Sequence, residues 1–244
     1  MTEGTGIRIA RRRTPLIRAL TAVGAAALAV TVSLGATACS SVGSAPSSTV
    51  PVPTGTNGAV HFDDGYIQVG TGAKMVDLYF DPLCPYCQEF DLTNSATLAG
   101  AVSDGSISLR LHPLTFLDPS SNGTAYSSRA AAALTCVAES TPDSTLDYLT
   151  VLYKNQPKEG SDGLTDKKLV SMATALGVPD ISSCLAFGAN QAWAQSITQH
   201  ALTGPIKDAD ITQIKGTPTV LVNGISFTGS ITDEKVFSSF LQAH

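Results

Sequence analysis

The sequence feature that most constrains the fold is a Cys-x-x-Cys motif, Cys84-Pro85-Tyr86-Cys87, which follows an apolar run and opens a helical pattern. The apolar run, Val76 to Phe80, is typical of a strand buried in a sheet. Pro85 suits the first helical position, because its missing N–H would have no partner there, and this leaves Cys84 as the expected N-cap. We therefore expect the Cys84 sulfur at a helix N-terminus, directly after a buried strand.

This placement predicts that Cys84 is the nucleophile of a redox site. The free N–H groups of Tyr86 and Cys87 and the positive end of the helix dipole favour a thiolate, and such sites lower a cysteine pKa from about 8.5 to as little as roughly 3.5. Cys87 lies one turn further along and is placed to attack a mixed disulfide on Cys84. We expect it to be the resolving thiol.

Two other readings of the motif remain open at this stage. It could be half of a zinc site, but Cys136 and Cys184 stand alone and no histidine lies near any cysteine in the sequence. It could also be a purely structural disulfide, but closing so short a loop stabilises a fold very little. Redox chemistry without a metal is the preferred interpretation.

The composition indicates one globular domain with a separate N-terminal region. Hydrophobic residues make up 43% of the 244 residues and charged residues 14%, which permits a packed core. The net charge is −5, and because residues 1–38 contribute +4, the remainder carries −9. An acidic domain argues against nucleic acid and anionic lipid as partners.

The N-terminal region is predicted to direct export from the cytoplasm. Residues 1–38 carry five arginines and then an uncharged run, Ala19 to Ala38, typical of a signal peptide or an N-terminal membrane segment. Cys39 follows directly, and lipidation there would explain an otherwise odd cysteine. Cleavage with release and an uncleaved anchor helix stay open. Residues 39–58 are predicted to be a flexible Ser/Pro/Thr-rich tether, followed by a folded domain over residues 59–244.

The order of patterns along the domain predicts an α/β fold with a helical insertion. A strand, a helix from Pro85 to about Val102 and a strand over Ile107 to Leu111 form a βαβ unit. The insertion at about 122–204 follows, and its helix candidates are Tyr126–Glu139, Asp143–Lys154, Thr165–Leu176 and Asp180–Leu202. A hairpin with an Asn223-Gly224 turn and a last helix from Ser230 complete the order βαβ, helices, ββα. The hairpin's strand candidates are Thr219–Val222 and Ile225–Thr228.

The cysteines of the insertion are predicted to form a structural disulfide. Cys136 lies on its first helix candidate and Cys184 on its fourth. In an exported protein such a pair is expected to be bonded, with free buried thiols as the alternative.

With Cys84-Pro85-Tyr86-Cys87, Gly216-Thr217-Pro218-Thr219 before the hairpin and helices between them, residues 60–244 resemble the thioredoxin-fold thiol oxidoreductases of the DsbA type. The resemblance implies a central mixed sheet, a redox-active Cys84–Cys87 disulfide as the only redox group, and a cis Thr217–Pro218 bond beside it. A cis proline exposes the Thr217 backbone for pairing with a client peptide. We therefore expect clients at Thr217, Pro218, Pro85 and Tyr86.

One position departs from the pattern of the resemblance. Many relatives carry a buried acid six residues before the first cysteine, where it can take protons from the resolving thiol; here that residue is Leu78. Asp77 and Asp81 are expected on the opposite strand face. His112 is expected to be solvated on the polar face of its strand. The sequence therefore names no protein group for this proton transfer, which is expected to use water.

These observations predict an exported dithiol oxidase that introduces disulfides into secreted or cell-envelope proteins. Its partners would be reduced or unfolded exported proteins and a membrane thiol oxidase that reoxidises it, and we expect a monomer. A reductase or isomerase of envelope proteins is the alternative within the same fold. A non-catalytic peptide-binding module or a metal chaperone for soft metals belongs to another class. The three methionines and four histidines are dispersed, which disfavours the chaperone.

Overall fold

Seven strands form one mixed sheet at the centre of the domain. A computed structural model of the chain describes residues 50–244, so the predictions for residues 1–38 and Cys39 lie outside the described residues. The strands are β1 Thr56–Asn57, β2 Val60–His61, β3 Tyr66–Val69, β4 Lys74–Phe80, β5 Ile107–Pro113, β6 Thr219–Val222 and β7 Ile225–Ser226. Their order in the sheet is β1-β2-β3-β5-β4-β6-β7. Only β4 and β5 pair in parallel, with Leu78 opposite Leu111, and β1 starts before residue 59, within the segment predicted to be a tether.

The helices follow the order that the sequence predicts. They are α1 Pro85–Ser103, α2 Tyr126–Ser140, α3 Thr145–Lys154, α4 Asp166–Ala175, α5 Ser182–Phe187, α6 Ala189–Thr203 and α7 Glu234–Ala243. Helix α1 connects the parallel strands β4 and β5, five helices stand between β5 and β6, and α7 ends the described chain. The predicted α/β fold with an inserted helical subdomain is confirmed.

The insertion shares one hydrophobic core with the sheet. Helix α2 is buried along almost its whole length, and its alanines, Ala130 to Ala133, let four other insertion helices approach it closely. Helix α1 in turn packs against α3, α7 and β5. Because core residues of α2 and α3 belong to the same cluster as those of β4 and β5, the insertion is a continuous part of the domain.

Two helix boundaries differ from the sequence prediction, each for a local reason. The segment Asp180–Leu202 was predicted as one helix, but α5 ends and α6 begins at Gly188, whose φ of +79° is a left-handed conformation that glycine adopts readily. The last helix starts at Glu234 rather than Ser230, because the Asp233 side chain caps it by accepting from the N–H groups of Lys235 and Val236.

The predicted Asn-Gly hairpin is confirmed. Asn223 and Gly224 have φ values of 48° and 81°, and Val222 pairs with Ile225 across the turn. Both positive φ values are those of a type I′ turn. Gly224 is further required by its neighbour, because a Cβ there would lie 2.0 Å from the Asp208 carbonyl oxygen. Strand β7 ends at Ser226, two residues before the predicted end.

The expectation of a solvated His112 is wrong. Its ring is buried, contacts the Gly65 carbonyl through Nδ1 at 2.9 Å and Asp77 Oδ1 through Nε2 at 2.9 Å, and stacks on Tyr79 with ring centroids 4.0 Å apart. Strand alternation placed His112 on the polar face correctly, but α6 covers that face of β5. A polar strand face is solvated only where no other element packs on it.

The cysteines of the insertion are joined in a disulfide. Cys136 on α2 and Cys184 on α5 are 48 residues apart in sequence, and the bond ties these two helices together. Within residues 50–244, no helix is long and apolar enough to cross a membrane.

We predict that replacing both Cys136 and Cys184 with serine lowers the free energy of unfolding by about 4 kcal/mol, because the unfolded chain loses the entropic restraint of a long closed loop. Urea unfolding of the oxidised protein and of the double variant measures the difference. Unchanged stability, or two free thiols at these positions in mass spectrometry of the oxidised protein, would contradict this prediction.

Candidate active site

The two motif cysteines lie at the start of α1, where strand β4 delivers the chain to a helix. Cys84 is the extended N-cap residue and Pro85 is the first helical residue. Both Cys84 and Cys87 are free thiols, with exposed fractions of only 5% and 2%. The described state is therefore the reduced site, with its sulfurs shielded from bulk water.

The environments of the two thiols drive their pKa values apart. The Cys87 thiol donates a hydrogen bond to the Cys84 sulfur, and the Thr217 side chain and the N–H groups of Cys87 and Tyr86 add further stabilisation, so the pKa of Cys84 falls to about 6 although burial opposes this. Burial, followed by the neighbouring Cys84 sulfur, raises the pKa of Cys87 well above its usual range. At neutral pH the reduced site thus holds a thiolate at Cys84 and a protonated thiol at Cys87.

The segment before β6 approaches the nucleophile from a distant part of the sequence. The Cys84 sulfur lies 3.3 Å from the Thr217 carbonyl oxygen, to which it donates when it is a protonated thiol, and the Thr217–Pro218 peptide bond is cis. The Thr217 hydroxyl oxygen is buried and makes no hydrogen bond within residues 50–244 in that protonated form. Its side chain favours the Cys84 thiolate and so lowers the Cys84 pKa. Thr217 and Pro218 are half-buried, whereas Pro85 and Tyr86 are exposed, Tyr86 to 63%.

Asp81 organises the loop before the nucleophile, a role that the sequence did not indicate. It is completely buried, and its Oδ1 accepts from the Leu83 N–H at 2.9 Å and from the Ser127 hydroxyl at 2.6 Å. Oδ2 accepts from the Leu117 N–H at 3.0 Å. Burial raises the pKa of Asp81 to about 7. Strand alternation failed to place this side chain because β4 ends at Phe80, one residue earlier.

Gln156 is a second site residue that the sequence did not reveal. It follows α3, and its Nε2 donates to the carbonyl oxygens of Pro82 at 3.0 Å and Cys84 at 2.9 Å. The Tyr153 hydroxyl donates to the Asp81 carbonyl oxygen at 3.4 Å. The helical insertion therefore holds the loop that carries the nucleophile, through contacts that span some 70 residues and have no local pattern.

Neither a group of potential metal ligands nor a cavity beside α6 includes a motif cysteine. In the described part of the chain, one group of potential metal ligands meets, formed by Cys136, Glu139 and Cys184, and its sulfurs are joined in the disulfide. A cavity of about 880 Å³ lies between α6 and the sheet face that carries Tyr79 and His112, and neither motif cysteine lines it.

Comparison with known families agrees with this geometry. A family model described as Thioredoxin matches residues 71–243, which is most of the chain. The chain belongs to the thioredoxin family. The match includes the motif cysteines, the insertion and the Thr217–Pro218 segment.

Solved structures with the same fold include two disulfide oxidoreductases of the DsbA type. The reduced disulfide bond oxidoreductase DsbG of Mycobacterium tuberculosis superposes with a TM-score of 0.62 at 23% identity, covering 73% of this chain and 86% of that one. The reduced DsbA of the same organism gives a TM-score of 0.59 at 22% identity, covering 73% and 98%. The predicted DsbA-like thioredoxin fold is confirmed.

A curated relative matches in sequence over part of its length. Serine/threonine-protein kinase PknE of M. tuberculosis is 31% identical over 144 residues, which are 57% of this chain and 25% of the kinase. The chain spans about a quarter of the length of this relative, so the match concerns one region of that protein.

We predict that alkylation of Cys84 by iodoacetamide follows a pH midpoint near 6, because only the thiolate reacts and its pKa is lowered to about 6. The rate should be close to its plateau at pH 7, whereas the unfolded protein should need a pH above 8. Cys84→Ser is the control for reaction at Cys87. A folded-state midpoint above 8 would mean that the site does not stabilise the thiolate.

Proposed function

We propose that this protein is an exported thiol-disulfide oxidoreductase that acts as a dithiol oxidase, introducing disulfides into secreted or cell-envelope proteins. The observation that carries the proposal is the thiolate environment of Cys84, in which the Cys87 thiol, Thr217 and two helix N–H groups converge on one sulfur. The DsbG and DsbA proteins of Mycobacterium tuberculosis have this fold, which supports the proposal.

The direction of electron flow follows from the redox form that this environment stabilises. The thiolate exists only in the reduced form, so interactions that favour it make the Cys84–Cys87 disulfide easier to reduce and a stronger oxidant. A client thiolate attacks Cys84, Cys87 leaves, and a second client thiolate attacks the client sulfur of the mixed disulfide. The client gains a disulfide, and the protein leaves with two reduced cysteines.

The partners and location are part of the same proposal. Reduced or unfolded exported proteins would dock over the exposed Pro85 and Tyr86 and against Thr217 and Pro218, and a membrane thiol oxidase would restore the active-site disulfide. Residues 1–38 support export, followed by tethering through a lipid on Cys39 or an uncleaved helix, or by release. The exposed rim around a buried sulfur fits an extended peptide better than a small thiol.

The test is oxidation of a reduced, unfolded test protein by the pre-oxidised enzyme under single-turnover conditions. Wild type should form one client disulfide per active site, because only Cys84 and Cys87 exchange. Cys84→Ser should abolish the reaction, and Cys87→Ser, which cannot form the active-site disulfide, should also form no client disulfide. Loaded with glutathione at Cys84, Cys87→Ser should hold a client that has a single cysteine as a mixed disulfide, because neither Cys87 nor a second client thiol can release it. The matched control is the Cys136→Ser/Cys184→Ser variant, which should retain the activity because its disulfide lies in the insertion.

Efficient reduction of insulin together with no net oxidation of the test protein would reverse the assignment and make the protein a reductase. Full activity of Cys84→Ser would remove the dithiol mechanism altogether.

A further inference from the structure

The resolving cysteine needs a proton partner when the Cys84–Cys87 disulfide opens and when it forms. Cys87 is 2% exposed, and burial raises its pKa, so its thiolate must be neutralised when it leaves a disulfide and must be regenerated when it attacks one. Strand β4 offers no carboxyl group on the face that carries Leu78, because Asp77 lies on the opposite face, where it contacts His112. Bulk water is excluded from the sulfur by the same burial.

Helix α1 itself carries a buried carboxyl group one turn beyond Cys87. Asp91 lies four residues after Cys87, a spacing that puts two side chains on the same helix face, and both belong to the buried face of α1. Asp91 is 7% exposed, and its Oδ2 is a buried oxygen without a hydrogen-bond partner in the described part of the chain. A buried carboxyl oxygen without a hydrogen-bond partner lowers the stability of the fold, and such an exception calls for a functional explanation.

A pocket gives this carboxyl group access to water. About 230 Å³ of space lies between α1, α3 and the sheet, and Asp91, Leu78 and Thr150 are among the residues that line it. This volume is ample for several waters, and although most of the lining is apolar, the Asp91 carboxyl group and the hydroxyl groups of Ser95 and Thr150 can hold a water by hydrogen bonds. Leu78 and Asp91 therefore face the same pocket. Although β4 has a leucine at position 78, helix α1 supplies a carboxyl group beside it.

We propose that Asp91 exchanges a proton with Cys87, directly or through a water in this pocket, during formation and opening of the Cys84–Cys87 disulfide. When a client thiolate attacks Cys84, the Cys84–Cys87 bond breaks, and the Cys87 thiolate takes the proton of the Asp91 carboxyl group. In the reverse reaction the Asp91 carboxylate takes the proton of the Cys87 thiol, and the Cys87 thiolate attacks the Cys84 sulfur and expels the bound molecule as a thiolate. This assignment rests on the proposed thiol-disulfide exchange but not on its direction.

The charged and titratable groups around Asp91 are consistent with a group that changes protonation near neutral pH. Burial raises the pKa of Asp91 to about 6, opposed by a hydrogen bond with Thr150 and the positive charge of Lys154, both from α3. Asp147, also on α3, is exposed at the same pocket. Tyr153 is a buried residue of α3, and after burial itself, charges on Cys87 and on Asp91 add to the raised pKa of its phenol.

Asp81 is the rival carboxyl group, and its contacts distinguish it from Asp91. Both Asp81 oxygens already accept hydrogen bonds from Leu83, Ser127 and Leu117, so it is committed to holding the loop. Asp91 keeps one oxygen unpaired and borders a space for water.

The test isolates the step in which Cys87 attacks. Reduced protein is mixed with glutathione disulfide in excess, and acid quench with mass spectrometry separates the Cys84–glutathione species from the intramolecular disulfide. In wild type the second step should rise with pH to a plateau above about pH 6, because the carboxylate is the active form. Asp91→Asn should slow this step about 10- to 100-fold at pH 7 and remove the inflection. Asp91→Glu should restore both, and the matched control Asp147→Asn should leave both unchanged.

Three results would overturn the inference: an unchanged pH profile in Asp91→Asn, failure of Asp91→Glu to restore the rate, or loss of the inflection in Asp81→Asn alone. The first step, alkylation of Cys84 and the unfolding temperature are measured for every variant, and Asp91→Ser serves if the amide variant does not fold. If the wild-type protein forms no intramolecular disulfide at all, the proposed function fails. If the wild-type protein forms this disulfide and Asp91→Asn forms it with the same rate and pH profile, only the inference about Asp91 fails.

Discussion

The hydrogen bonds that converge on the Cys84 sulfur are the interaction on which the rest of the structure depends. They come from three directions: the N-terminus of α1, the resolving thiol one turn along it, and the side chain of Thr217, which lies 133 residues away in sequence. No short segment supplies all three. The pairing of β4 with β6, in which Tyr79 lies opposite Thr219, brings Thr217 to the start of α1. The sheet therefore controls the pKa of Cys84 by holding Thr217 close to its sulfur.

The helical insertion also holds the loop that carries Cys84 in place. Asp81 links the loop before Cys84 to α2 through the Ser127 hydroxyl, and Gln156 holds the Cys84 and Pro82 carbonyl oxygens from the end of α3. Removing such a partner leaves buried polar groups unsatisfied, which costs about 1–3 kcal/mol for each group. The disulfide between α2 and α5 restrains the same insertion at a distance from the reactive cysteines. The Cys136–Cys184 disulfide thus stabilises the insertion that holds the site, whereas Cys84 and Cys87 are its reactive groups.

The sequence predicted what depends on local pattern and missed what depends on contacts across the fold. The Cys-x-x-Cys motif after an apolar strand, the Asn223-Gly224 turn and the helical texture of the insertion each reflect spacing or backbone preference, and each was placed correctly. The break at Gly188 was missed because one glycine inside a helical pattern is compatible with continuation. The roles of Asp81, Gln156 and His112 were missed because a side chain's partners from other elements, not its own strand or helix, decide whether it is buried and hydrogen-bonded.

The reduction potential of the Cys84–Cys87 pair tests the central claim most directly, since it measures how strongly the site favours the thiolate form. Equilibration with glutathione buffers of graded composition, with the fraction of reduced protein read by thiol trapping and mass spectrometry, gives this value. The thiolate environment predicts a potential well above the roughly −270 mV of thioredoxin, toward that of strongly oxidising proteins of this fold, at roughly −120 mV. A potential at or below that of thioredoxin would contradict the account, because the contacts on Cys84 would then not stabilise the reduced form.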